Sequence, residues 1–252
     1  MEFASLGSGS KGNGTLIRDS ETCLLVDCGF SLKRTLARLE VLALSPSDID
    51  GILVTHEHTD HIRGVGLLAR KFDIPVFLTE GTCQADFLDE RHNVFIIDDN
   101  ETFEIRDLEV QSVPVSHDAR NPCQFIISNE TRCFGLLTDV GVISNHLIEA
   151  YKACDSLVME FNYDSVSLEY GDYPEFLKRR VSGNLGHLSN QQACEFLVAV
   201  DANRSKNIIA AHISLKNNDP SLVRDLLIGE LGYAADQIEL FDQEQGLDWC
   251  NV

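Results

Sequence analysis

The chain alternates between short apolar runs and longer segments in which apolar residues recur with helical spacing. The apolar runs predict strands at residues 3–6, 15–18, 22–26, 52–54, 76–78, 94–97, 102–115, 123–127, 133–137, 156–159, 207–211 and 238–241. Helical spacing predicts helices from Ser31, over 62–72, after Thr79, from Pro174, after Ser189 and near 221–231. Strands interleaved with helices are typical of an α/β fold.

Several of these runs lead into a residue type that binds metal ions. The residues that follow a predicted strand in this way are Asp27, His56, His117, Asp139, Glu160 and His212. In α/β folds the carboxyl ends of strands gather at one edge of the sheet, where functional sites form. The pattern therefore predicts one site built from distant positions. His92 and His146 lack this setting and are predicted to be ordinary surface residues.

The densest part of the pattern is a single short segment that contains His56, His58, Asp60 and His61. Imidazole and carboxylate are ligands that zinc and similar divalent ions prefer. His56 and His58 point the same way on an extended segment, whereas Asp60 and His61 come where the chain turns into a helix. One loop could thus serve two neighbouring ions. The alternative is a solvated polar loop, and the zinc-protease pattern His-Glu-x-x-His is absent.

The composition is that of an ordinary soluble globular protein, with 252 residues, 44% hydrophobic and 24% charged. No apolar run reaches transmembrane length, and the N-terminus lacks the features of a signal peptide. The eight cysteines are scattered without a Cys-x-x-Cys spacing, which indicates a reduced, cytoplasmic setting and no membrane partner. No linker or repeat is visible, so we predict a single domain over 1–252.

The net charge of −20 bears on the choice of substrate. Nucleic-acid-binding proteins usually carry a basic face, because neutralising phosphates supplies much of the affinity. An acidic surface repels polyanions at long range, so such a substrate must meet a local basic patch or enter by a chain end. The candidate patch for phosphate contact is Lys178, Arg179 and Arg180. The alternative is a charged helix end favoured by the helix dipole.

Gly7, Gly9 and Gly12 match the spacing Gly-x-Gly-x-x-Gly. A dinucleotide site of this kind needs a helix directly after the glycines. Residues 15–26 instead predict a β-hairpin, so we reject nucleotide binding here. A tight connection between strands that requires positive φ is the simpler explanation.

Four further motifs accompany the run His-x-His-x-Asp-His. They are Ser-Gly-Ser-Lys-Gly-Asn at 8–13, Leu-Val-Asp at 25–27, Val-Ser-His-Asp at 115–118 and Gly-His-Leu-Ser-Asn at 186–190. In this order the motifs resemble the metallo-β-lactamase fold, and most closely the small YycJ/WalJ-type hydrolases. The resemblance implies an α/β architecture, the four-layer αβ/βα sandwich of that fold.

The resemblance also implies a ligand set for two divalent metal ions. The first ion would be bound by His56, His58 and His117, the second by Asp60, His61 and His212, and both by Asp139. Zinc is the expected metal, with manganese or iron as alternatives. Asp27 would hydrogen-bond a metal-ligating histidine and so orient it.

A proton-transfer pair is implied as well. Glu160 and His187 are similar to the glutamate and histidine with which phosphodiesterases of this fold protonate the leaving oxygen. With Asp60 they are the candidate catalytic residues. Without the family context, His187 would be a residue that merely leads into the following helix. Val140 and Tyr163 differ from the residues that are usual at their positions in the family. The difference at Tyr163 leaves a functional role of that position open.

These features predict a binuclear metal-dependent hydrolase, a phosphodiesterase or nuclease that uses a metal-bridging hydroxide, with DNA exonuclease activity as one form. The substrate would be nucleic acid, DNA or RNA, and the oligomeric state is left open. A thioester or lactam hydrolase is the alternative enzyme, and a non-catalytic metal-bound regulatory protein is the alternative of another class. Only 73 positions (212 − 139) separate Asp139 from His212, too few for the inserted clamp domain of large RNA-processing relatives.

Overall fold

The computed structural model describes residues 1–202 and 204–252. The chain forms two compact units. The first contains Met1–Pro114, Ala119–Thr131 and Asp242–Val252, and the second contains Val115–Asp118 and Arg132–Phe241. Within the described residues, no helix has the length and apolar character needed to cross a membrane.

Strands and helices alternate along both units, as the apolar pattern predicted. The strands are β1 (Glu2–Gly7), β2 (Gly14–Asp19), β3 (Thr22–Val26), β4 (Gly51–Leu53), β5 (Val76–Thr79), β6 (Val94–Ile97), β7 (Thr102–Ile105), β8 (Leu108–Pro114), β9 (Cys123–Ser128), β10 (Cys133–Leu137), β11 (Ser156–Glu160), β12 (Asn207–Ala211), β13 (Ile238–Leu240) and β14 (Leu247–Asn251). The helices are α1 (Leu32–Val41), α2 (Thr59–Ile62), α3 (Val65–Phe72), α4 (Glu80–Cys83), α5 (Asn145–Tyr151), α6 (Ser165–Tyr170), α7 (Glu175–Val181), α8 (Asn190–Ala199) and α9 (Pro220–Gly229).

The first unit contains a mixed sheet in the order β14-β1-β2-β3-β4-β5-β6. Strands β14 to β3 in this order are antiparallel, and β3 to β6 are parallel. Its core includes the fully buried Leu25, Ile52 and Val76, together with Leu39 of α1 and Leu68 of α3. The same unit contains β7, β8 and β9, which pair antiparallel.

The second unit contains β10, β11, β12 and β13, each paired parallel with the next. Val158, Ile208 and Ile209 are fully buried in these strands, as expected for parallel strands, which are usually covered on both faces. Parallel strands direct their carboxyl ends the same way, so the residues that follow them meet at one edge. Ser189 caps α8, as the sequence predicted.

The helix predicted over 62–72 begins earlier and is interrupted. α2 starts at Thr59, and α3 starts only at Val65. A Cβ at Gly64, between them, would stand 2.3 Å from the carbonyl oxygen of Phe30, so two backbone segments approach too closely for any other residue. The sequence pattern could not show this approach, because Phe30 is distant in the chain.

The structure differs from the sequence-based prediction at β14 and at His92. The sequence did not predict β14, an edge strand in which charged and apolar residues are mixed and which pairs with one neighbour, β1. His92 is not an ordinary surface residue, because its side chain is 2% exposed and its Nε2 lies 2.9 Å from the carbonyl oxygen of Gly66. His146 is exposed, as predicted.

Candidate metal centre

The four predicted ligands after β4 lie together in the first unit. The ring centroid of His56 is 4.5 Å from that of His58 and 4.1 Å from that of His61. Asp60 Oδ2 lies 3.8 Å from His61 Nε2. His56 and His61 are buried, whereas His58 and Asp60 are partly exposed. The loop therefore presents three imidazoles and one carboxylate within a small volume.

Asp27, at the end of β3, fixes one of these histidines. Its Oδ2 accepts hydrogen bonds from His61 Nδ1 at 2.7 Å and from Thr55 Oγ1 at 2.8 Å, and its Oδ1 accepts from the Thr55 N–H at 2.9 Å. A carboxylate can only accept, so His61 carries its proton on Nδ1 and its lone pair on Nε2. This is the tautomer that suits a metal ligand.

The sequence analysis missed Asn13, which contacts the same histidine. Its Nδ2 lies 3.0 Å from His61 Nε2 and 3.3 Å from the Asp60 carbonyl oxygen, while its backbone N–H donates to that oxygen at 2.8 Å. Its Oδ1 accepts from the Gly9 N–H at 2.7 Å. Asn13 is part of the motif at 8–13 that carries the family resemblance, but an asparagine at that position did not by itself indicate a contact with the metal ligands.

The glycine-rich loop is held in turn by Gln243, another residue without a sequence signal. Its Oε1 accepts from the Lys11 N–H at 2.8 Å, and its Nε2 donates to the Gly12 carbonyl at 2.9 Å. The Gly12 N–H itself donates to the Gly9 carbonyl. The backbone N–H groups of Gly9, Lys11 and Gly12 are thus engaged within the first unit. Gly7, Gly9 and Gly12 have the positive φ expected of a tight connection.

In the second unit, three imidazoles converge on one carboxylate. Asp139 Oδ1 lies 3.8 Å from His117 Nε2, 3.7 Å from His187 Nδ1 and 3.6 Å from His212 Nε2. His117 Nδ1 is 3.1 Å from the carbonyl oxygen of Gly186, an acceptor, so the lone pair of His117 is on Nε2. Potential ligand atoms of Asp139, Glu160, His187 and His212 all lie within 4.8 Å of one another.

Glu160 is the buried anchor of this cluster. Its Oε1 lies 2.8 Å from His187 Nδ1 and 3.1 Å from His212 Nδ1. Its Oε2 accepts from the backbone N–H groups of Leu188 at 3.0 Å and Val140 at 3.4 Å. Burial opposes ionisation of the carboxyl, but the charge of His187 and the hydrogen bonds of both histidines outweigh it and lower the pKa of Glu160 to about 2.

His187 is oriented by the same carboxylate, with its side chain 20% exposed. Burial alone would lower the pKa of this imidazole. The negative charge of Glu160 and the hydrogen bond to it outweigh burial, so the pKa of His187 is raised. Because Nδ1 faces Glu160, Nε2 is the atom from which a proton could be delivered.

Asn162 is a further residue to which the sequence assigned no role. Its Nδ2 donates to the His212 carbonyl oxygen at 3.1 Å and lies 3.1 Å from His212 Nδ1. The neighbouring Tyr163 is buried, and its backbone pairs with Ser189 in an isolated bridge. Tyr163 therefore packs as a buried residue beside the start of α8.

Three site residues at strand ends adopt a backbone conformation rare for their type. Asp27, Asp139 and His212 have φ of 61°, 52° and 53°. Non-glycine residues with positive φ are uncommon, although Asp and His are enriched among them, and they gather at functional sites. The turn at each strand end thus changes the direction of a side chain that would otherwise point to one face of the sheet, as side chains do along a strand.

The basic triplet is engaged within the second unit. Arg180 Nε donates to Asp118 Oδ2 at 2.6 Å, Arg179 Nε donates to Glu175 Oε1 at 3.1 Å, and Lys178 Nζ donates to the Glu169 carbonyl. Glu169 and Glu175 are exposed. The pair of Arg179 with Glu175 is an exposed ion pair, which contributes little to stability, so Arg179 can exchange its partner.

The donor chemistry of both units fits divalent metal ions. In His61, His117 and His212 the Nδ1 atom has an oxygen acceptor within hydrogen-bond distance, which favours the tautomer with the lone pair on Nε2. The residues that could bind metal are His56, His58, Asp60 and His61 in the first unit and His117, Asp139 and His212 in the second. Their division between two ions stays a prediction.

Comparisons with known proteins agree with this chemistry. Residues 22–213 match the model of the beta-lactamase superfamily domain. The chain is 39% identical over 230 residues to the exodeoxyribonuclease YycJ of Bacillus anthracis, covering 89% of this chain and 86% of that protein. It is 35% identical over 242 residues to the exodeoxyribonuclease WalJ of Streptococcus pneumoniae, covering 93% and 89%.

A solved structure supports the same fold. The metallo-beta-lactamase fold protein YhfI from Bacillus subtilis superposes with a TM-score of 0.75 at 14% identity, covering 99% of both chains. That identity is too low to argue function, but it confirms the predicted α/β fold class. This chain belongs to the beta-lactamase superfamily, and within it to the metal-dependent hydrolases of YycJ/WalJ type.

Proposed function

We propose that this chain is a metal-dependent exodeoxyribonuclease that hydrolyses phosphodiester bonds of DNA. The observation that carries the proposal is the 39% identity to YycJ of Bacillus anthracis, an exodeoxyribonuclease, along almost the full length of both proteins. The buried histidine and carboxylate clusters provide chemistry that suits it. A cytoplasmic location and a single-domain organisation belong to the same proposal.

The proposed cofactor is a pair of divalent ions, with zinc first and manganese or iron as alternatives. The ligands would be His56, His58 and His117 for one ion, Asp60, His61 and His212 for the other, and Asp139 for both. Such ions polarise a phosphoryl oxygen and lower the pKa of water from about 15.7 towards about 7. The tautomers of His61, His117 and His212 support this assignment.

The remaining chemistry belongs to the chain itself. Glu160 orients His187 through Nδ1, so that His187 Nε2 can hold the proton given to the departing 3′- or 5′-oxygen of the sugar. Glu160 accepts hydrogen bonds from the backbone N–H groups of Asp139, Val140 and Leu188. These bonds keep the carboxylate in place while the imidazole gains and loses its proton.

The decisive assay compares substrates on protein reconstituted with zinc, manganese or iron. Single- and double-stranded DNA, RNA, a small phosphodiester and a thioester are offered, with Asp60→Ala as the blank. We expect stepwise release of nucleotides from a DNA end, and its loss in the blank, which lacks a proposed metal ligand. Turnover of the thioester without any phosphodiester would overturn the proposal.

A further inference from the structure

Arg180 differs from its neighbour Arg179 in the kind of partner that it binds. Arg179 Nε contacts Glu175, and both side chains of that pair are largely exposed. Arg180 Nε donates to Oδ2 of Asp118 at 2.6 Å, and the Asp118 side chain is only 28% exposed. A hydrogen bond between two charged groups is the stronger kind, and partial exclusion of water strengthens it further. Arg180 is therefore held more firmly than Arg179.

The partner of Arg180 lies beside a predicted metal ligand. Asp118 follows His117 directly in the chain, and its Oδ1 lies 3.5 Å from His117 Nε2. Asp139 Oδ1 lies 3.8 Å from the same nitrogen, which carries the lone pair because Nδ1 faces the carbonyl of Gly186. Two carboxylates and a lone pair gathered in this way repel one another. Arg180 offsets the charge of Asp118 and fixes the oxygen that faces away from His117.

Arg180 also joins the loop of His117 to the loop of His187. The Asp118 N–H donates to the Leu185 carbonyl at 3.0 Å, and the His187 N–H donates to the carbonyl of the last residue of α7 at 2.8 Å. The ring centroids of His117 and His187 are 5.3 Å apart. The two backbone bonds do not depend on the type of side chain, whereas the ion pair between Arg180 and Asp118 does. The ion pair is thus the link that a substitution can remove.

We propose that Arg180, acting through Asp118, is a positioning residue for the predicted metal ligand His117 and the predicted proton donor His187. This role rests on the proposed function of the metal centre and deepens it. The phosphate contact that the sequence offered for Arg180 is replaced by a contact within the protein, which holds the two histidine loops in register. Arg180 would then affect metal binding and turnover, and not the affinity for the substrate.

The direction of the change in metal affinity separates orientation from charge. Removing a positive charge beside a cation site should by itself strengthen metal binding. Losing a group that orients a metal ligand weakens metal binding, typically by about 10–100-fold. We expect Arg180→Gln to lower the affinity for zinc by about tenfold, the lower end of that range, because the Arg180 side chain is 58% exposed and acts through Asp118. Titration against a chromophoric chelator measures the affinity.

Cobalt(II) gives a second measurement that does not depend on hydrolysis. Its visible absorption reports the geometry of its ligands, and we expect the bands of Arg180→Gln to change in position or intensity. Arg180→Lys retains a donor for Asp118 Oδ2 and should recover most of the zinc affinity. Asp118→Asn should lose at least as much as Arg180→Gln. Because the two residues act as a unit, the variant that combines both changes should lose no more than Asp118→Asn alone.

Arg204→Gln is the matched control, because Arg204 Nε donates to Asp201 Oδ2 at 2.8 Å in the same unit. It should change neither the zinc affinity nor the cobalt spectrum. Unchanged or tighter zinc binding by Arg180→Gln would overturn the inference, as would a higher KM for DNA with an unchanged kcat, the sign of a lost substrate contact. The metal measurements need no turnover, so they test the role of Arg180 even if the protein does not hydrolyse DNA.

Discussion

The two histidine clusters differ in how the chain builds them. In the first unit His56, His58, Asp60 and His61 come from one short loop. In the second, the corresponding side chains lie at or just after the ends of separate strands, at Asp139, Glu160 and His212, or in loops, at His117 and His187. The first cluster is therefore specified locally, whereas the second exists only once the parallel strands have paired.

The supporting carboxylates differ in the same way. Asp27 fixes one predicted ligand, His61, and otherwise binds the adjacent Thr55. Glu160 contacts both a predicted ligand, His212, and the predicted acid, His187. Asp27 thus orients one predicted metal ligand, whereas Glu160 orients both a predicted metal ligand and the predicted proton donor. Losing Glu160 should therefore be more damaging than losing Asp27.

The largest expected effect is that of Glu160→Gln. Oε1 of Glu160 faces two imidazoles and Oε2 faces the Leu188 and Val140 N–H groups, so an amide nitrogen finds only donors on either side. If the amide nitrogen faces the two histidines, each must carry its proton on Nε2 instead of Nδ1. His212 Nε2 then has no lone pair with which to bind a metal ion. We expect kcat to fall by on the order of 10⁴, the loss seen when a catalytic histidine takes the wrong tautomer.

Steady-state hydrolysis of a small phosphodiester measures this fall, and elemental analysis measures the bound metal. Glu195→Gln, an exposed carboxylate on α8, is the matched control and should behave as wild type. If Glu160→Gln kept its activity and its metal content, the two histidines would not depend on the carboxylate for their tautomers.

Asp27→Asn should have a smaller effect, because a single imidazole is involved. The amide nitrogen would face His61 Nδ1 or the Thr55 N–H, both donors in the native contacts. Loss of a partner that orients a metal-ligating histidine typically costs about 10–100-fold in metal affinity. Competition with a chromophoric chelator measures this affinity. A loss as large as that of Glu160→Gln would remove the difference between the two clusters.

The sequence predicted the first cluster more directly than the second, because the first lies within one short segment of the chain. The ligands at 56–61 were visible from their spacing alone, and strand-end positions gave Asp27, His117, Asp139 and His212. Their joint assignment still needed the family resemblance. Asn13, Asn162 and Gln243 were missed because hydrogen bonds between distant segments leave no periodic trace. Most strands and helices followed the apolar pattern, but it did not show the break at Gly64 and it missed β14, α5 and α6.

The smallest expected effect is that of Gln243→Ala, which tests whether the first cluster is as local as its sequence suggests. Gln243 is buried and binds the Lys11 N–H and the Gly12 carbonyl. Without it these groups lose their partners, which costs about 1–3 kcal/mol in the free energy of unfolding. Urea denaturation measures this change, and Gln245→Ala, exposed in the same turn, is the matched control.

The same variant also separates the stability of the first cluster from its metal chemistry. The glycine-rich loop contacts His61 through Asn13, whose own bonds to Asp60 and Gly9 remain in Gln243→Ala. Metal affinity should therefore fall by less than with Asp27→Asn, that is, by less than about tenfold. A larger loss would mean that residues near the C-terminus set the position of His61, and that the first cluster, like the second, depends on segments far apart in the sequence.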